Sequence, residues 1–343
     1  MTDRVVNSVE GMGMAGMSMV PALVWEGERR VSVRDVPTPG DRAGWVRVAP
    51  AFAGLCGTDL HICAGEHSRA VPGLVIGHEF VGRLVEATED LPAGQPVFVN
   101  PMVHCGQCDA CRRGLIQVCE RLRSVGIDFP GAACPDVIVP EFGLYPLPAG
   151  LDLEAAALIE PLSVGVRAIR RSGAGLGDRV HVIGAGPIGC ILGVLALVAG
   201  AAVTISEPSA ARRELAERLG LATVDARDPR PTADIVFDAT GVPAVAPTVA
   251  RWVRPGGRVT LVGAYPPAPQ PVELLQFMFA ELTLVGTRIY TRPDILAAID
   301  LISAGAVDAR SFVTRVVPLR EGAAAIEELR AGTAMKLLLD PAS

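Results

Sequence analysis

The sequence predicts an α/β protein in which a β-rich N-terminal domain precedes a doubly wound parallel sheet. Short apolar runs separated by proline and glycine fill the first 150 residues, as in a meandering, barrel-like domain. From Leu153 onward, apolar strands alternate with amphipathic helices, which is typical of a parallel sheet covered by helices. The 343 residues, of which 50% are apolar and 20% charged, suffice for about two domains and exclude extensive disorder.

The predicted elements follow this change of pattern along the chain. The N-terminal domain has predicted strands at Arg30–Val36, Trp45–Ala51, Phe80–Glu86, Val97–Asn100 and Val137–Val139. The strands predicted for the parallel sheet are Arg179–Ile183, Ala202–Ser206, Ile235–Ala239, Arg258–Val262 and Thr283–Thr287, with helices at Pro187–Ala199 and Ala210–Leu219. Beyond them we predict a helix near Asp294–Ala304, a strand near Thr314–Pro318, a helix at Gly322–Arg330 and a strand at Met335–Leu339. The last strand indicates a return to the first domain.

Charge and targeting signals narrow the classes of partner. The formal net charge of −6 gives no reason to expect a nucleic-acid partner. Thirty of the basic residues are scattered arginines, and Lys336 is the single lysine. Residues 1–20 carry Asp3 and Glu10 and no continuous apolar run, so a secretory leader is not expected. We expect a cytoplasmic protein without a membrane or nucleic-acid partner.

Two segments need a specific interpretation. Residues 1–20 are rich in glycine and methionine and lack periodicity, which predicts a disordered tail or a true start at Met12, Met14, Met17 or Met19. The apolar run Val180–Ile205 has the hydropathy of a membrane span, but glycine and proline interrupt it. A buried strand, a glycine turn, a buried helix and a second strand explain that run better.

A glycine-rich turn predicts a dinucleotide site. It directly follows the strand Arg179–Ile183 and opens a helix with Gly184, Ala185, Gly186, Pro187, Ile188 and Gly189. In such a turn the glycines allow the tight bend, the close approach of a pyrophosphate and the packing of helix on strand. The phosphates would lie at the positive N-terminus of the helix. The turn therefore predicts a Rossmann-type nucleotide-binding domain.

The next strand carries information on the choice of cofactor. It ends at Glu207, twenty-three residues after Gly184, where a carboxylate accepts the ribose hydroxyls of NAD. A carboxylate there repels a 2′-phosphate, so we expect NAD rather than NADP. The neighbouring Arg212 and Arg213 argue mildly the other way, since either could pair with a phosphate. Arg212 could alternatively stack on the adenine.

Four closely spaced cysteines predict a structural zinc site. Cys105, Cys108, Cys111 and Cys119 lie within fifteen residues, and four thiolates at this spacing can close a tetrahedron around Zn²⁺. With no open coordination position, such a site stabilises a lobe of the chain and performs no chemistry.

Two further segments supply candidates for an open, catalytic zinc site. The first contains Cys56, Thr58, Asp59 and His61, and the second places His78 beside Glu79. Each segment alone is weak, because isolated cysteine and histidine residues are common in protein cores. Beside a dinucleotide fold, a thiolate and an imidazole are the start of a zinc site with an exchangeable position.

Taken together, these motifs resemble those of zinc-dependent medium-chain dehydrogenases/reductases. The resemblance runs from about Ala22 to the C-terminus and rests on the Cys56–His61 segment, the Gly77–Gly82 segment, the four-cysteine lobe, Glu160–Gly165 and the Gly184–Gly189 turn. It implies a GroES-like catalytic domain at residues 21–152 and 290–343, wrapped around an NAD-binding Rossmann domain at 153–289. It also implies a homodimer or homotetramer.

The resemblance also assigns roles to residues. It implies one structural and one catalytic zinc per chain, the latter held by Cys56 and His78. Glu79 and Glu160 are the carboxylates near the remaining positions, and either could be the direct ligand. Asp59 is expected to orient His78. Thr58 and His61 are expected to relay the proton from a substrate hydroxyl whose pKa the zinc lowers, before hydride leaves for the nicotinamide.

The substrate is a small-molecule alcohol or ketone, and its class is less sharply predicted. The Glu160 motif resembles that of polyol dehydrogenases, which favours the secondary alcohol of a polyol or cyclitol. The Cys56 segment resembles threonine dehydrogenases and the Glu207 strand end resembles aminocyclitol dehydrogenases, so an amino alcohol is the alternative. A zinc-independent quinone or enoyl reductase and a non-catalytic NAD-binding protein are disfavoured, because the ligand and relay residues are all present.

Overall fold

The computed structural model describes residues 18–228 and 232–343. The predicted tail and the alternative starts Met12, Met14 and Met17 therefore lie almost entirely outside the described residues. Ser18, Met19 and Val20 are the exception, and the last two already belong to the first strand. The described residues thus begin inside the segment that the sequence predicted to be disordered.

The N-terminal part is β-rich, as predicted. Its strands are β1 (Met19–Gly27), β2 (Arg30–Pro37), β3 (Trp45–Leu55), β4 (Leu74–Val75), β5 (Glu79–Leu84), β6 (Pro96–Val99), β7 (Met102–Val103), β8 (Arg123–Ser124), β9 (Val137–Pro140) and β10 (Leu144–Pro146). Two short helices interrupt them, α1 (Gly57–Cys63) and α2 (Asp109–Arg112).

The central part alternates helices and strands. Two helices lead into it, α3 (Leu153–Ala156) and α4 (Ile159–Ser172). Its strands are β11 (Arg179–Ile183), β12 (Ala202–Glu207), β13 (Thr223–Asp225), β14 (Ala233–Asp238), β15 (Val253–Leu261) and β16 (Thr283–Gly286). The helices among them are α5 (Pro187–Val198), α6 (Ala210–Arg218) and α7 (Leu274–Phe279). The C-terminal elements are α8 (Arg292–Ser303), β17 (Val313–Pro318), α9 (Gly322–Ala331) and β18 (Lys336–Asp340).

The central strands form one parallel sheet in the order β13-β12-β11-β14-β15-β16. This order reverses direction beside β11, and such a switch point is where open α/β sheets bind their ligands. Every residue of β14 is buried, as expected for a strand covered by helices on both faces. The predicted Rossmann-type sheet is confirmed, with the short strand β13 added to the predicted ones.

The C-terminal segment returns to the first domain, as predicted. Strand β18 pairs antiparallel with β3 and parallel with β17, which completes a seven-stranded sheet in the order β10-β6-β5-β3-β18-β17, with β9 also on β3. A smaller sheet has the order β2-β1-β4. The domain limits at 21–152 with 290–343, and at 153–289, stay a prediction.

Two large apolar clusters fill the two parts of the molecule. One is centred on the parallel sheet with helices α4, α5 and α8, and the other lies within the β-rich part and includes β18 and α9. Within the described residues, no helix has the length and apolar character needed to cross a bilayer.

Candidate active site

The ends of three strands from distant parts of the chain meet at one edge of the seven-stranded sheet. Cys56 directly follows β3, Glu79 begins β5 and Lys336 begins β18. Both β5 and β18 run antiparallel to β3, with Gly54 opposite Glu79 and Leu55 opposite Leu337. An antiparallel neighbour begins where β3 ends, so the sheet register itself brings these residues together.

Cys56, Asp59 and His78 form a compact cluster of ligand atoms, all within 4.8 Å of one another. The Cys56 sulfur lies 3.1 Å from His78 Nε2, and Asp59 Oδ1 lies 3.4 Å from His78 Nδ1. Cys56 caps helix α1, since its Sγ accepts the Thr58 N–H at 3.2 Å and its own N–H donates to Asp59 Oδ2 at 2.9 Å. The cap therefore fixes the thiol, and the same Asp59 faces the imidazole.

The charges around His78 favour a cation at this point. Burial opposes protonation of His78, but the Cys56 thiolate and the Asp59 carboxylate outweigh it and raise the pKa of His78 well above its ordinary value. Burial also raises the pKa of the Cys56 thiol. A thiolate, an imidazole nitrogen and one open side match the donor set and geometry of an exchangeable zinc site. These residues fit a zinc ion.

Gly77 explains why the backbone can deliver His78 to this position. Its φ is +97°, and a Cβ at Gly77 would lie 3.0 Å from the Ala133 nitrogen. Only glycine adopts this conformation without strain and allows so close an approach of a neighbouring loop. On the opposite strand, a Cβ at Gly54 would lie 2.6 Å from Glu79 Oε2, so Gly54 leaves room for the glutamate side chain.

The two candidate carboxylates are in different situations. Glu79 Oε2 forms a buried ion pair with Lys336 Nζ, which also donates to the Leu55 carbonyl at 3.2 Å. Glu160 lies on α4, is buried, and lines the same cleft as Cys56 and His78. Burial, followed by the charge of Glu79, raises the pKa of Glu160 to about 7. Neither glutamate belongs to the compact cluster, whereas Asp59 does.

Lys336 is a site residue that the sequence analysis did not identify. The only signal was compositional, since it is the one lysine among the basic residues. It is 2% exposed, and a lysine is almost never buried unless it is paired. Its partner Glu79 was identified, but the pairing depends on the strand register.

A cleft of about 550 Å³ joins this cluster to the glycine-rich turn. Thr58 lines it together with the turn residues Gly186, Pro187, Ile188 and Gly189. His61 does not line it: its side chain is 68% exposed, with Nδ1 2.8 Å from Glu66 Oε2. The two expected relay residues therefore lie on one helix, with Thr58 in the cleft and His61 toward solvent.

The glycine-rich turn has the form that a pyrophosphate needs. Gly184 has a φ of +96°, and a Cβ at Gly189 would lie 1.9 Å from the Gly184 carbonyl oxygen. At Gly186 a Cβ would meet nothing within 4 Å, so open space lies in front of the turn. Gly186 also caps α5, whose N-terminal N–H groups face this space. The turn fits a dinucleotide phosphate.

Glu207 and the two arginines after β12 have distinct partners. Glu207 is buried, and its oxygens accept the N–H groups of Ala185 at 2.9 Å and Ser209 at 3.0 Å. Arg213 donates to the Glu207 carbonyl and pairs with Asp225 at 3.2 Å. Arg212 instead lines a small cavity beside Gly186, with its guanidinium near Gly332.

The four-cysteine lobe matches a tetrahedral metal site. The sulfur–sulfur distances are 3.9 Å for Cys105–Cys111, 3.9 Å for Cys108–Cys119 and 3.5 Å for Cys105–Cys119. Zinc–sulfur bonds of about 2.3 Å in a tetrahedron require sulfur atoms about 3.8 Å apart. The Gln107 N–H lowers the pKa of the Cys105 thiol to about 5, which favours the thiolate. The residues fit a structural zinc ion.

Comparison with known proteins agrees with this architecture. Residues 42–149 match the alcohol dehydrogenase GroES-like domain, and residues 187–304 match the zinc-binding dehydrogenase domain. The chain therefore belongs to the zinc-dependent medium-chain dehydrogenases, and it is an oxidoreductase of the zinc-type alcohol dehydrogenase class. The predicted combination of a GroES-like domain with a Rossmann domain is confirmed.

Several relatives act on sugar acids. A 2-dehydro-3-deoxy-L-galactonate 5-dehydrogenase of Pseudoalteromonas atlantica is 36% identical, with 88% of this chain and 92% of the relative covered. An L-galactonate-5-dehydrogenase of Escherichia coli K12 is 33% identical, with 86% and 88% covered. An L-threonine 3-dehydrogenase of Pyrococcus horikoshii is 35% identical over a shorter region, 68% of this chain and 71% of the relative.

Solved structures similar to this chain contain either form of the cofactor. A Sinorhizobium meliloti 1021 structure bound to NADP has a TM-score of 0.88 and 31% identity, and covers 94% of this chain and 100% of its own. An Escherichia coli CFT073 alcohol dehydrogenase complexed with NADH has a TM-score of 0.87 and 25% identity, with 94% and 99% covered. The fold alone therefore does not determine whether NAD or NADP is preferred.

The buried ion pair gives the first testable prediction. Lys336→Met leaves the Glu79 carboxylate buried without a counter-charge, so we expect the free energy of unfolding to fall by about 3–5 kcal/mol. In the double variant Lys336→Met/Glu79→Gln the unpaired charge is gone, and most of that loss should be recovered. Urea unfolding of the zinc-loaded protein measures both values. Equal destabilisation in the single and double variants would contradict a charge-based role of the pair.

Proposed function

We propose that the protein oxidises a secondary alcohol of a polyol or sugar acid to the ketone, with NAD as the hydride acceptor. The observation that carries the proposal is the single cleft that joins Cys56 and His78 to the turn Gly184–Gly189. An ion held by the first group and a nicotinamide extending from the second would meet in that cleft. Two of the relatives, which this chain matches over most of their length, are galactonate dehydrogenases. They support a sugar-type substrate.

The structure favours Glu160 over Glu79 as the carboxylate available to the catalytic zinc. Glu79 is engaged by Lys336, whereas Glu160 lines the cleft with no cation paired to it among the described residues. Cys56 and His78 would be the protein ligands, and Asp59 would orient His78 through its Nδ1. Of the two carboxylates that the sequence left open, we therefore propose Glu160.

Thr58 and His61 are the residues that would carry the proton away from the substrate hydroxyl. When bound, zinc supplies a Lewis acid that lowers the pKa of the substrate hydroxyl, and NAD supplies the hydride acceptor. The Thr58 hydroxyl lines the cleft at the start of α1, where it can take the proton from the substrate hydroxyl. His61, on the same helix and exposed to solvent, can pass a proton on to water.

The local charges favour NAD over NADP. The buried Glu207 carboxylate lies at the end of β12 against the glycine-rich turn, where it can still accept ribose hydroxyls beside its two backbone contacts. Arg213 is occupied by Asp225, which removes one of the two arginines that could bind a 2′-phosphate. An amino alcohol remains the second substrate class, but its representative among the relatives covers less of the chain.

A coupled screen tests the proposed function. We expect NADH formation with L-galactonate or related polyols, a higher kcat/KM with NAD than with NADP, and little turnover of L-threonine. Glu160→Ala should lower kcat by at least about 100-fold, since a metal-site carboxylate is lost. Glu214→Ala, at an exposed position of α6, is the matched control. Activity that survives in Glu160→Ala would refute the assigned role of Glu160.

Metal analysis tests the proposed zinc content of two ions per chain. We expect Cys56→Ser and Cys111→Ser each to lose about one zinc, because each removes a thiolate from a different site. Cys190→Ser, at a buried cysteine outside both clusters, should retain both ions. Inductively coupled plasma mass spectrometry gives the counts. A wild-type protein with zinc in the lobe alone would contradict the catalytic site.

We also propose that the protein is a homo-oligomer that associates through the β16 edge of the parallel sheet. Among the described residues, strand β16 pairs with β15 and with no other strand, so it is an edge strand of the parallel sheet. Helix α7 beside it exposes four large apolar side chains, Leu274, Leu275, Met278 and Phe279, each at least 64% exposed. An apolar cluster next to an open strand edge is typical of a subunit interface.

Two leucine-to-aspartate variants test this interface. Leu275→Asp places a charge in the apolar face of α7, so we expect at least a tenfold weaker self-association. Leu176→Asp changes an equally apolar side chain that is 92% exposed elsewhere on the surface, and should leave the association unchanged. Sedimentation velocity over a range of concentrations measures both. A wild-type protein that stays monomeric at tens of micromolar would refute the interface.

A further inference from the structure

The charges lining the cleft are unevenly distributed. Its carboxylates, Glu79 and Glu160, are buried at the end that contains Cys56 and His78. The other charged lining residues, apart from Lys336 and the imidazoles, are three arginines, Arg69, Arg123 and Arg288. Among the described residues that line the cleft, no carboxylate accompanies these arginines. Apart from the two buried carboxylates, the charged side chains that line the cleft are therefore cationic.

The three arginines differ in how far they are neutralised. Arg69 pairs with Asp128 at 3.5 Å and donates to the Leu122 carbonyl. Asp128 is further engaged by the Ser124 N–H at 2.8 Å. In the described ranges 18–228 and 232–343, neither Arg123 nor Arg288 has a carboxylate within ion-pairing distance. Their charge is thus available to a ligand.

Arg123 is exposed and lies at the outer limit of cation–π distance from an aromatic ring. It lies on β8, with its guanidinium carbon 5.9 Å from the centre of the Phe129 ring. Phe129 in turn packs edge-to-face on Trp45 at 5.0 Å, and Arg42 lies over both rings. Stacking on a ring leaves the N–H groups of a guanidinium free to donate in its plane. Arg123 is consequently positioned without being neutralised.

We propose that Arg123 binds an anionic group at the end of the substrate remote from the oxidised hydroxyl, with Arg288 adding positive charge beside it. The inference rests on the proposed function, since it places that hydroxyl at Cys56 and His78. A guanidinium matches a carboxylate or a phosphate through two parallel hydrogen bonds. The substrate is therefore a sugar acid or a polyol phosphate, and a neutral polyol is a poorer substrate.

Histidine does not supply this charge. His67 also lines the cleft beside Arg69, but burial and the charge of Arg69 lower the pKa of His67. His67 is therefore harder to protonate than an ordinary histidine, and the positive charge beside it comes from the arginines.

Matched substrates test the proposal. The zinc-loaded enzyme with NAD is assayed on L-galactonate, galactitol 1-phosphate and the neutral galactitol. We expect wild-type kcat/KM to be higher for one of the anionic compounds than for galactitol, and the preferred anion identifies carboxylate or phosphate. Arg123→Gln should lower kcat/KM for that anion about 10- to 100-fold, as for a lost charged hydrogen bond. Its effect on galactitol should be several-fold smaller, and Arg123→Lys should restore part of the loss.

Arg42→Gln is the control for a purely structural effect. Arg42 stacks on the same Phe129 ring but does not line the cleft. If the loss in Arg123→Gln came from disturbed packing of Phe129, Arg42→Gln would reproduce it. Equal losses in the two variants, or equal losses on charged and neutral substrates in Arg123→Gln, would overturn the proposal.

A binding measurement separates this inference from the proposed activity. Isothermal titration calorimetry follows L-galactonate and inorganic phosphate binding to wild type and Arg123→Gln. Arg123-dependent binding of either anion, without turnover of any of the three compounds, would support the anion subsite and refute the proposed activity. Turnover of galactitol without Arg123-dependent binding of either anion would support the activity and overturn the subsite.

Discussion

The buried pair Lys336–Glu79 ties together segments that are more than 250 residues apart in the chain. Taking a carboxylate and an ammonium out of water costs several kcal/mol for each ion, and their attraction offsets that cost only when both are present. The pair lies where the end of β3 meets the beginnings of β5 and β18. Glu79 directly follows His78 in the chain, and Lys336 contacts Leu55, the last residue of β3 before Cys56. The C-terminal strand therefore stabilises the position of Glu79 beside the candidate metal ligands, although it contributes no candidate ligand itself.

The same pair gives the two carboxylates of the cleft different surroundings, because Glu79 has a cationic partner and Glu160 has none among the described residues. Glu79 and Glu160 are both buried in the cleft, and burial together with the charge of Glu79 raises the pKa of Glu160. Glu79 has Lys336 as its ion-pair partner, which is the basis for our proposal that Glu160 is the carboxylate available to a bound ion. The four-cysteine lobe has a comparable supporting role further out. It lies between β7 and β8, and residues of both strands line the cleft, so an ion bound in the lobe would stabilise one wall of that cleft.

Local patterns in the sequence predicted much of this arrangement. The alternation of strands and helices predicted the parallel sheet, the glycine spacing predicted the phosphate-binding turn, and the cysteine spacing predicted the lobe. Each of these is encoded within about thirty residues. Strand β1 was not predicted at all, because its first residues, Met19 and Val20, lie in a glycine- and methionine-rich stretch that was assigned to a disordered tail. Its pairing with β4 joins residues about fifty positions apart in the chain. Helix α4 was missed because Pro161 and Gly165 weaken its helical pattern.

The features that sequence could not supply depend on tertiary contacts. Our proposal of Glu160 over Glu79 rests on the Lys336–Glu79 ion pair, and the position of Lys336 follows from the pairing of β18 with β3. Likewise, the sequence does not show that Asp128 pairs with Arg69 and not with Arg123. Nor does it show that the Arg123 guanidinium lies near the ring of Phe129. Such pairings join residues whose sequence neighbours give no sign of them. Composition showed a single lysine, but only the sheet register shows what that lysine contacts.

That single lysine also makes the folded chain unusual toward amine-directed reagents. Its side chain is 2% exposed, and the protein has no other side-chain amine. Acylating labels and surface-coupling chemistries therefore find no accessible side-chain amine on the native chain, whose one other kind of amine is the α-amino group. Modification of a second amine becomes a direct chemical signal that β18 has detached from the sheet.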